Sequence, residues 1–195
     1  MQNSVNLDNI EFNNSKKLVL IAGPCVLESY EHAKLMIDKL LDITEKLKID
    51  FVYKTSFDKA NRTSINADRG IGIEESIKIF DNLKSEYSLK ILTDVHSPSD
   101  CDKIKNHVDI LQIPAFLCRQ TDLLISAANT GKIINVKKGQ FLAPHDMLNV
   151  ANKIIESGNK QLLLTERGAS FGYNNLVSDM RSLEIMKQEI LYPVI

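Results

Sequence analysis

Leu18-Val19-Leu20-Ile21-Ala22-Gly23-Pro24-Cys25 is the stretch on which the fold turns. Its first five residues are a continuous apolar run, the pattern of a parallel strand buried on both faces. The run stops at Gly-Pro-Cys. A dinucleotide-binding sheet carries a glycine-rich turn after its first strand, with free N–H groups for the pyrophosphate. Here proline removes one of those donors.

The unit that follows repeats outward along the chain. Residues 30–47 place Ala33, Met36, Ile37, Leu40, Leu41 and Leu47 on one helical stripe. Further apolar runs predict strands at 51–53, 90–93, 108–113, 132–136 and 161–165. Between and after them, helices are expected at 74–87, 97–106, 121–129, 144–157 and 176–189. Ile77, Phe80 and Leu83 face inward on the second helix; Ser97 or Ser99 caps the third, with Pro98 in its first turn. Gly131 and Gly158 close two others. Residues 5–12 form a small strand or hairpin within an N-terminal extension, 1–17.

Strict strand–helix alternation with short apolar strands predicts an α/β fold with a parallel sheet in a single domain. Polar clusters follow every strand rather than one switch point. That favours a (β/α)8 TIM barrel, whose active site collects all the strand-to-helix loops. The chain holds about six such units, and Pro193-Val194-Ile195 opens a seventh strand. A barrel takes roughly 250 residues, so 195 residues imply an incomplete one.

Composition narrows the function classes. Hydrophobic residues are 44% and charged residues 25%, as in ordinary soluble domains. The net charge of −1 leaves no basic field for nucleic acid or membrane, and no apolar run is long enough to span a bilayer. The polar, Asn-rich start is unlike a secretory signal. Cys25, Cys101 and Cys118 are odd in number and lack zinc-type spacing, which fits a reducing cytoplasm.

Any cationic site must therefore be local, and Lys54-Thr55-Ser56-Phe57-Asp58-Lys59-Ala60-Asn61-Arg62-Thr63-Ser64 supplies one. Lysines give point charges, arginine a planar fork, and hydroxyls fill the remaining oxygens of an anion. The alternative is a solvated loop. Other strand ends add to the first reading: Cys25 and Glu28; Asp94 and His96; Gln112 and Arg119; Lys137, Lys138 and Gln140; Glu166 and Arg167. In a barrel these converge on one mouth. So many cations repel each other when empty, and a small polyanion is their natural complement. Cys25 reads either as a small buried hydrophobe or as a thiolate metal ligand. Lys54 reads as an electrostatic group or as a Schiff-base lysine. His96 either packs locally or acts beside Asp94. Cys101 and Cys118 are expected to be structural.

Several strings in order carry a family resemblance: Ala22 to Cys25, Lys54 to Ser64, Thr93 to His96, Gln112 to Asp122, Asn135 to Lys138, and Glu166 to Tyr173. From about residue 5 to its last residue the chain resembles the 3-deoxy-D-manno-octulosonate 8-phosphate synthases, or 2-dehydro-3-deoxyphosphooctonate aldolases. The related heptulosonate phosphate synthases share the barrel but not these strings. The resemblance implies a transferase that condenses phosphoenolpyruvate with D-arabinose 5-phosphate in lipopolysaccharide precursor synthesis. It implies that Lys54, Lys59, Gln112, Lys137 and Arg167 form the phosphoenolpyruvate site, with the carboxylate near the first two. Lys137, Arg167 and the Ala115 N–H would hold the phosphate. Asn61, Arg62 and Thr63 would take the sugar phosphate, with Asp94 near the sugar. The family usually has serine where Thr63 stands. Arg119 matches an arginine that reaches a neighbouring subunit, implying a homotetramer. Cys25 matches the class that uses a divalent metal such as zinc, iron or manganese.

The family pattern runs on past Ile195 into an Asp-Ala-Thr-His-like motif and acidic metal ligands. The resemblance thus implies a C-terminally truncated enzyme, whose remaining metal ligands belong to the absent segment and whose own activity is in question. Two other readings stand beside it. One is a non-catalytic remnant that binds phosphorylated ligands; the other is a Schiff-base aldolase using Lys54.

Overall fold

Alternation along the chain becomes adjacency in space. The computed structural model describes residues 2–195. It begins with an antiparallel hairpin, β1 (Val5–Leu7) and β2 (Ile10–Phe12). The main body follows as β3 (Val19–Ala22), α1 (Tyr30–Leu47), β4 (Asp50–Lys54), α2 (Ile73–Tyr87), β5 (Lys90–Asp94) and α3 (Pro98–Ile104). It continues with β6 (Ile110–Ile113), α4 (Thr121–Asn129), β7 (Ile133–Lys137), α5 (Met147–Glu156) and β8 (Leu162–Thr165). A second hairpin, β9 (Ala169–Ser170) with β10 (Leu176–Val177), precedes α6 (Arg181–Ile190).

β3 to β8 form one six-stranded sheet in chain order, every neighbouring pair parallel. Among the described residues the order never reverses, so they form no switch-point crevice of the dinucleotide type. Beside β8, Val194 bridges Leu164 in parallel. The Leu164 N–H donates to the Pro193 carbonyl at 3.0 Å, and the Ile195 N–H to the Leu164 carbonyl at 2.7 Å. The seventh-strand opening expected at 193–195 is thus paired where a parallel α/β sheet of this order requires it.

The core lies between this sheet and its helices. Ile91, Leu92, Ile110, Leu111, Ile134, Leu162 and Leu163 are fully buried, as are Phe80, Leu83 and Ile154 on the helices against them. Ser97 caps α3 in a reciprocal box with Asp100, with Pro98 at the helix start. The Gly23 turn is dictated by close approach. A Cβ there would sit 2.0 Å from the Lys54 carbonyl oxygen, so only glycine lets the β3 end lie against the β4 end. That contact brings Cys25 beside Lys54.

Four local expectations are corrected. β3 is half-buried rather than buried on both faces, because within the sheet it pairs with β4 alone; Leu18 is exposed. Leu47 is exposed; Thr44 extends the α1 stripe instead, satisfying its hydroxyl at the Leu40 carbonyl, 2.9 Å away. The segment before α5 starts with a 3-10 turn, Pro144–Asp146. The last helix does not begin at Leu176. Gly172 and Asn174 adopt positive φ and turn the chain back, so Leu176 and Val177 pair with Ser170 and Ala169, and the helix starts at Arg181.

Candidate active site

The C-terminal ends of the strands carry a polar chain inside an otherwise apolar sheet. Register sets Asp94 beside Gln112 and Gln112 beside Asn135. The Thr165 hydroxyl donates to Asn135 Oδ1 at 2.8 Å, and Asn135 Nδ2 donates to Gln112 Oε1 at 3.0 Å. Gln112 Nε2 then donates to the Asp94 carboxylate. Ser56 donates to the other Asp94 oxygen at 2.8 Å while accepting from Lys59 at 2.9 Å and Lys54 at 3.3 Å. Lys59 Nζ lies 3.8 Å from Asp94. An acceptor-only carboxylate at one end gives every bond in the chain a single direction, since no member of it can flip without orphaning its neighbour.

Above this floor opens a cavity of about 500 Å³. Five cationic side chains line it: Lys54, Lys59, Arg62, Lys137 and Arg167. Cys25, Asn61, Asp94, His96, Ala115 and Gln140 line it too. Ala115 opens a 3-10 turn, Ala115–Leu117, so its N–H has no partner within that turn. Phe57 meets the His96 ring edge-on, with centroids 5.5 Å apart. Arg62 Nε donates to the Asp68 carbonyl at 3.1 Å, and the Lys59 N–H to the Arg69 carbonyl at 2.7 Å. These bonds tie the 58–70 loop to itself, with residues 58–62 along the cavity wall.

Charge crowding leaves a record in the acidities. Burial, with Lys59 and Lys137 nearby, pulls Lys54 down to about 8, against the opposing pull of Asp94. Burial also lowers Lys137, helped by Lys59 and Arg167. Burial alone would raise Asp94, but Lys54, Lys59, the Ser56 hydrogen bond and Lys137 together hold it below the ordinary carboxylate value. The cavity is therefore preset for a ligand that brings negative charge.

The model of the DAHP synthetase I family matches residues 3–195. The chain belongs to the DAHP synthetase I family. It is 61% identical over 183 residues to a protein of Brucella anthropi named 2-dehydro-3-deoxyphosphooctonate aldolase, covering 94% of this chain and 66% of that protein. Proteins of the same name from Rickettsia typhi and Rickettsia prowazekii are 59% and 60% identical over all 195 residues, which cover 71% and 70% of their lengths. The chain thus spans about two thirds of the length of the relatives it matches.

Within this DAHP synthetase I member, Cys25, Lys54, Lys59, Asn61, Arg62, Asp94, Ala115, Lys137 and Arg167 converge on the one cavity. Thr63 and Arg119 are exposed and outside its lining. Gln112 is buried beneath the lining and touches Asp94. Lys138 and Glu166, collected with the mouth from their place after strands, leave it; they pair behind the wall, 3.5 Å apart. Asn135 and Thr165 join the polar chain from within the strands, beyond the residues expected at the site. Their signal in the sequence is a polar residue in or at the end of an apolar strand run, which needs a buried partner.

Among the described residues no three His, Cys, Asp or Glu side chains are grouped to hold a metal. Cys25 is exposed at the cavity, while Cys101 and Cys118 are buried, with burial raising both thiols. One thiolate does not define a coordination geometry. The described residues alone do not make a metal centre. No helix among them is long and apolar enough to cross a membrane.

Proposed function

We propose that the chain condenses phosphoenolpyruvate with D-arabinose 5-phosphate and water, giving 3-deoxy-D-manno-octulosonate 8-phosphate and phosphate for lipopolysaccharide precursors. Five cations around one cavity, on a chain of net charge −1, carry this reading. Both substrates are anions, and a site for them must offset their mutual repulsion as well as bind them. The names of the relatives point to the same product.

C3 of phosphoenolpyruvate attacks the sugar aldehyde and forms the carbon–carbon bond, while the aldehyde oxygen takes a proton. Water adds at the former C2, and the C2–O bond to phosphate breaks. Lys137, Arg167 and the Ala115 N–H hold the phosphate; Lys54 and Lys59 face the carboxylate. Asn61, Arg62 and Thr63 take the sugar phosphate, and Asp94 sits near the sugar. Gln112 acts from beneath, fixing Asp94. Incubating the intact protein with both substrates and following phosphate release and the eight-carbon product tests the reading. Binding of both substrates without product would instead mark a non-catalytic phosphate binder.

The sequential parallel order and the site at the strand C-termini support a (β/α)8 barrel, in one domain, as the complete architecture. Cys25 is proposed as one ligand to a divalent metal, whose other ligands come from outside residues 2–195; bound there, the metal would supply Lewis acidity. No step is built on it. Loss of metal content in Cys25→Ala, read by elemental analysis, tests the assignment. Arg119, exposed and with its carbonyl held by Lys153 at 3.1 Å, is proposed to reach a neighbouring subunit's sugar phosphate in a homotetramer. Unpaired cysteines fit a cytoplasmic enzyme.

One observation favours a second mechanism. Lys54, lowered to about 8, reaches its nucleophilic neutral form more readily than an ordinary lysine. Borohydride trapping with pyruvate separates the two: a covalent adduct on Lys54 would install the Schiff-base route.

A further inference from the structure

Directly behind the phosphate side of the cavity lies a buried ion pair that no step above uses. Lys138 is 1% exposed and Glu166 7% exposed along their side chains, with Nζ and Oε1 3.5 Å apart. Each is the chain neighbour of a cavity cation, Lys138 following Lys137 and Glu166 preceding Arg167. Register places Lys137 opposite Thr165, and the Lys138 N–H donates to the Thr165 carbonyl at 2.8 Å. At both strand ends, then, one residue faces the cavity and its chain neighbour turns behind it.

The pair does more than neutralise itself. Lys138 Nζ donates to the Gly168 carbonyl at 3.1 Å and the Leu142 carbonyl at 3.3 Å, with the Gly139 carbonyl at 3.5 Å. Glu166 Oε1 accepts the Gly168 N–H at 2.5 Å. Arg167 is therefore the middle residue of a turn held at both sides of Gly168. Gly168 itself has φ +89°, and a Cβ there would meet Leu176 at 3.0 Å and the Val177 carbonyl at 3.2 Å, so the β9–β10 hairpin blocks the turn from relaxing outward. Lys137 and Arg167 repel each other, so the turn that carries Arg167 has to be held against that force. A buried, carbonyl-tied ammonium with its carboxylate is a costly device for stability alone, where apolar residues would serve as well.

We propose that Lys138 and Glu166 are positioning residues that hold Lys137 and Arg167 at the spacing needed for the phosphate of phosphoenolpyruvate. This rests on the phosphate assignment made above. The test is calorimetric binding of phosphoenolpyruvate, inorganic phosphate and arabinose 5-phosphate to the intact protein, with urea unfolding alongside. Glu166→Ala is expected to weaken phosphoenolpyruvate and inorganic phosphate about tenfold or more, since displacement of a charged anchor by an ångström costs that much. Arabinose 5-phosphate should change less than about twofold. Equal losses for both substrates, or none, would overturn the proposal. Should that variant not fold, Lys138→Met with Glu166→Gln removes both charges at similar volume. Parent stability with a tenfold loss for phosphoenolpyruvate would uphold the positioning role; parent affinity would overturn it. Lys137→Ala and Arg167→Ala serve as controls. If both leave phosphoenolpyruvate binding intact, the phosphate assignment itself fails and the positioning proposal falls with it. If either weakens binding while the Glu166 and double variants do not, only the positioning proposal falls.

Discussion

The two sides of the cavity solve the same electrostatic problem differently. On the β4–β5 side, Lys54 and Lys59 share Ser56 and face Asp94, a buried carboxylate within the wall. On the β7–β8 side, Lys137 and Arg167 make no ion pair or hydrogen bond to a carboxylate among the described residues; Asp94 acts on Lys137 only at longer range, and Glu166 lies behind, engaged by Lys138. One side is compensated by direct contact before any ligand arrives, while the other is compensated only in part and leaves more for the ligand's charge. Loss of the compensating group should therefore be felt in stability, and loss of a waiting cation in binding.

The largest expected effect is that of Asp94→Asn. Removing the carboxylate leaves Lys54 and Lys59 uncompensated, and breaking a buried pair this way costs about 3–5 kcal/mol. Urea unfolding at neutral pH reads it; a shift equal to that of Lys137→Ala would erase the contrast between the two sides. Next come Lys137→Ala and Arg167→Ala. Each should lose about 1.5–3 kcal/mol of phosphoenolpyruvate binding, the worth of a hydrogen bond to a charged group, with little change in unfolding. Unchanged affinity in both would remove the phosphate from this side.

Lys54 offers an intermediate effect with a pH signature. Its proton is held less tightly in the folded chain, at about 8 against the ordinary 10.5. Between those values the unfolded chain binds the proton that the folded chain lacks, so this group makes stability rise with pH across that window. Lys54→Met should thus stabilise the ligand-free protein at pH 7 by about 1–3 kcal/mol, and the gain should shrink as pH rises from about 8 and be lost above the ordinary value of 10.5. Phosphoenolpyruvate affinity of the parent should fall as pH rises through about 8, where the ammonium is lost. A stability gain that does not shrink at alkaline pH would mean that burial of the charge is not what Lys54 costs. The smallest effect is that of Thr63→Ser. Thr63 is exposed, lies outside the cavity lining and keeps its hydroxyl, so arabinose 5-phosphate KM should move less than about twofold. A larger change would place the 58–70 loop deeper in the site than either wall.

The sequence by itself determined the strand–helix alternation, because period 2 and period 3.6 patterns are local and the apolar strands are short and continuous. Helices at 30–47 and 121–129 match α1 and α4 end to end. It also marked which strand ends bring cations and amides to one cavity, since such groups have no reason to interrupt an apolar run. Tertiary structure decided what those side chains face. Lys137 and Lys138 are identical letters side by side, yet one enters the cavity and the other is buried against Glu166. That choice depends on the pleat of β7 and on three backbone carbonyls from two separate loops. Gln112 likewise sits under Asp94 rather than in the lining, because register with β5 and β7 sets its partners. The Leu176–Val177 reversal needed Gly172 and Asn174 to turn a helix-compatible stretch into a hairpin. Periodicity reports which residues want to be buried; the geometry of neighbouring strand ends decides which buried polar group meets which, and so where the charge of the site is held.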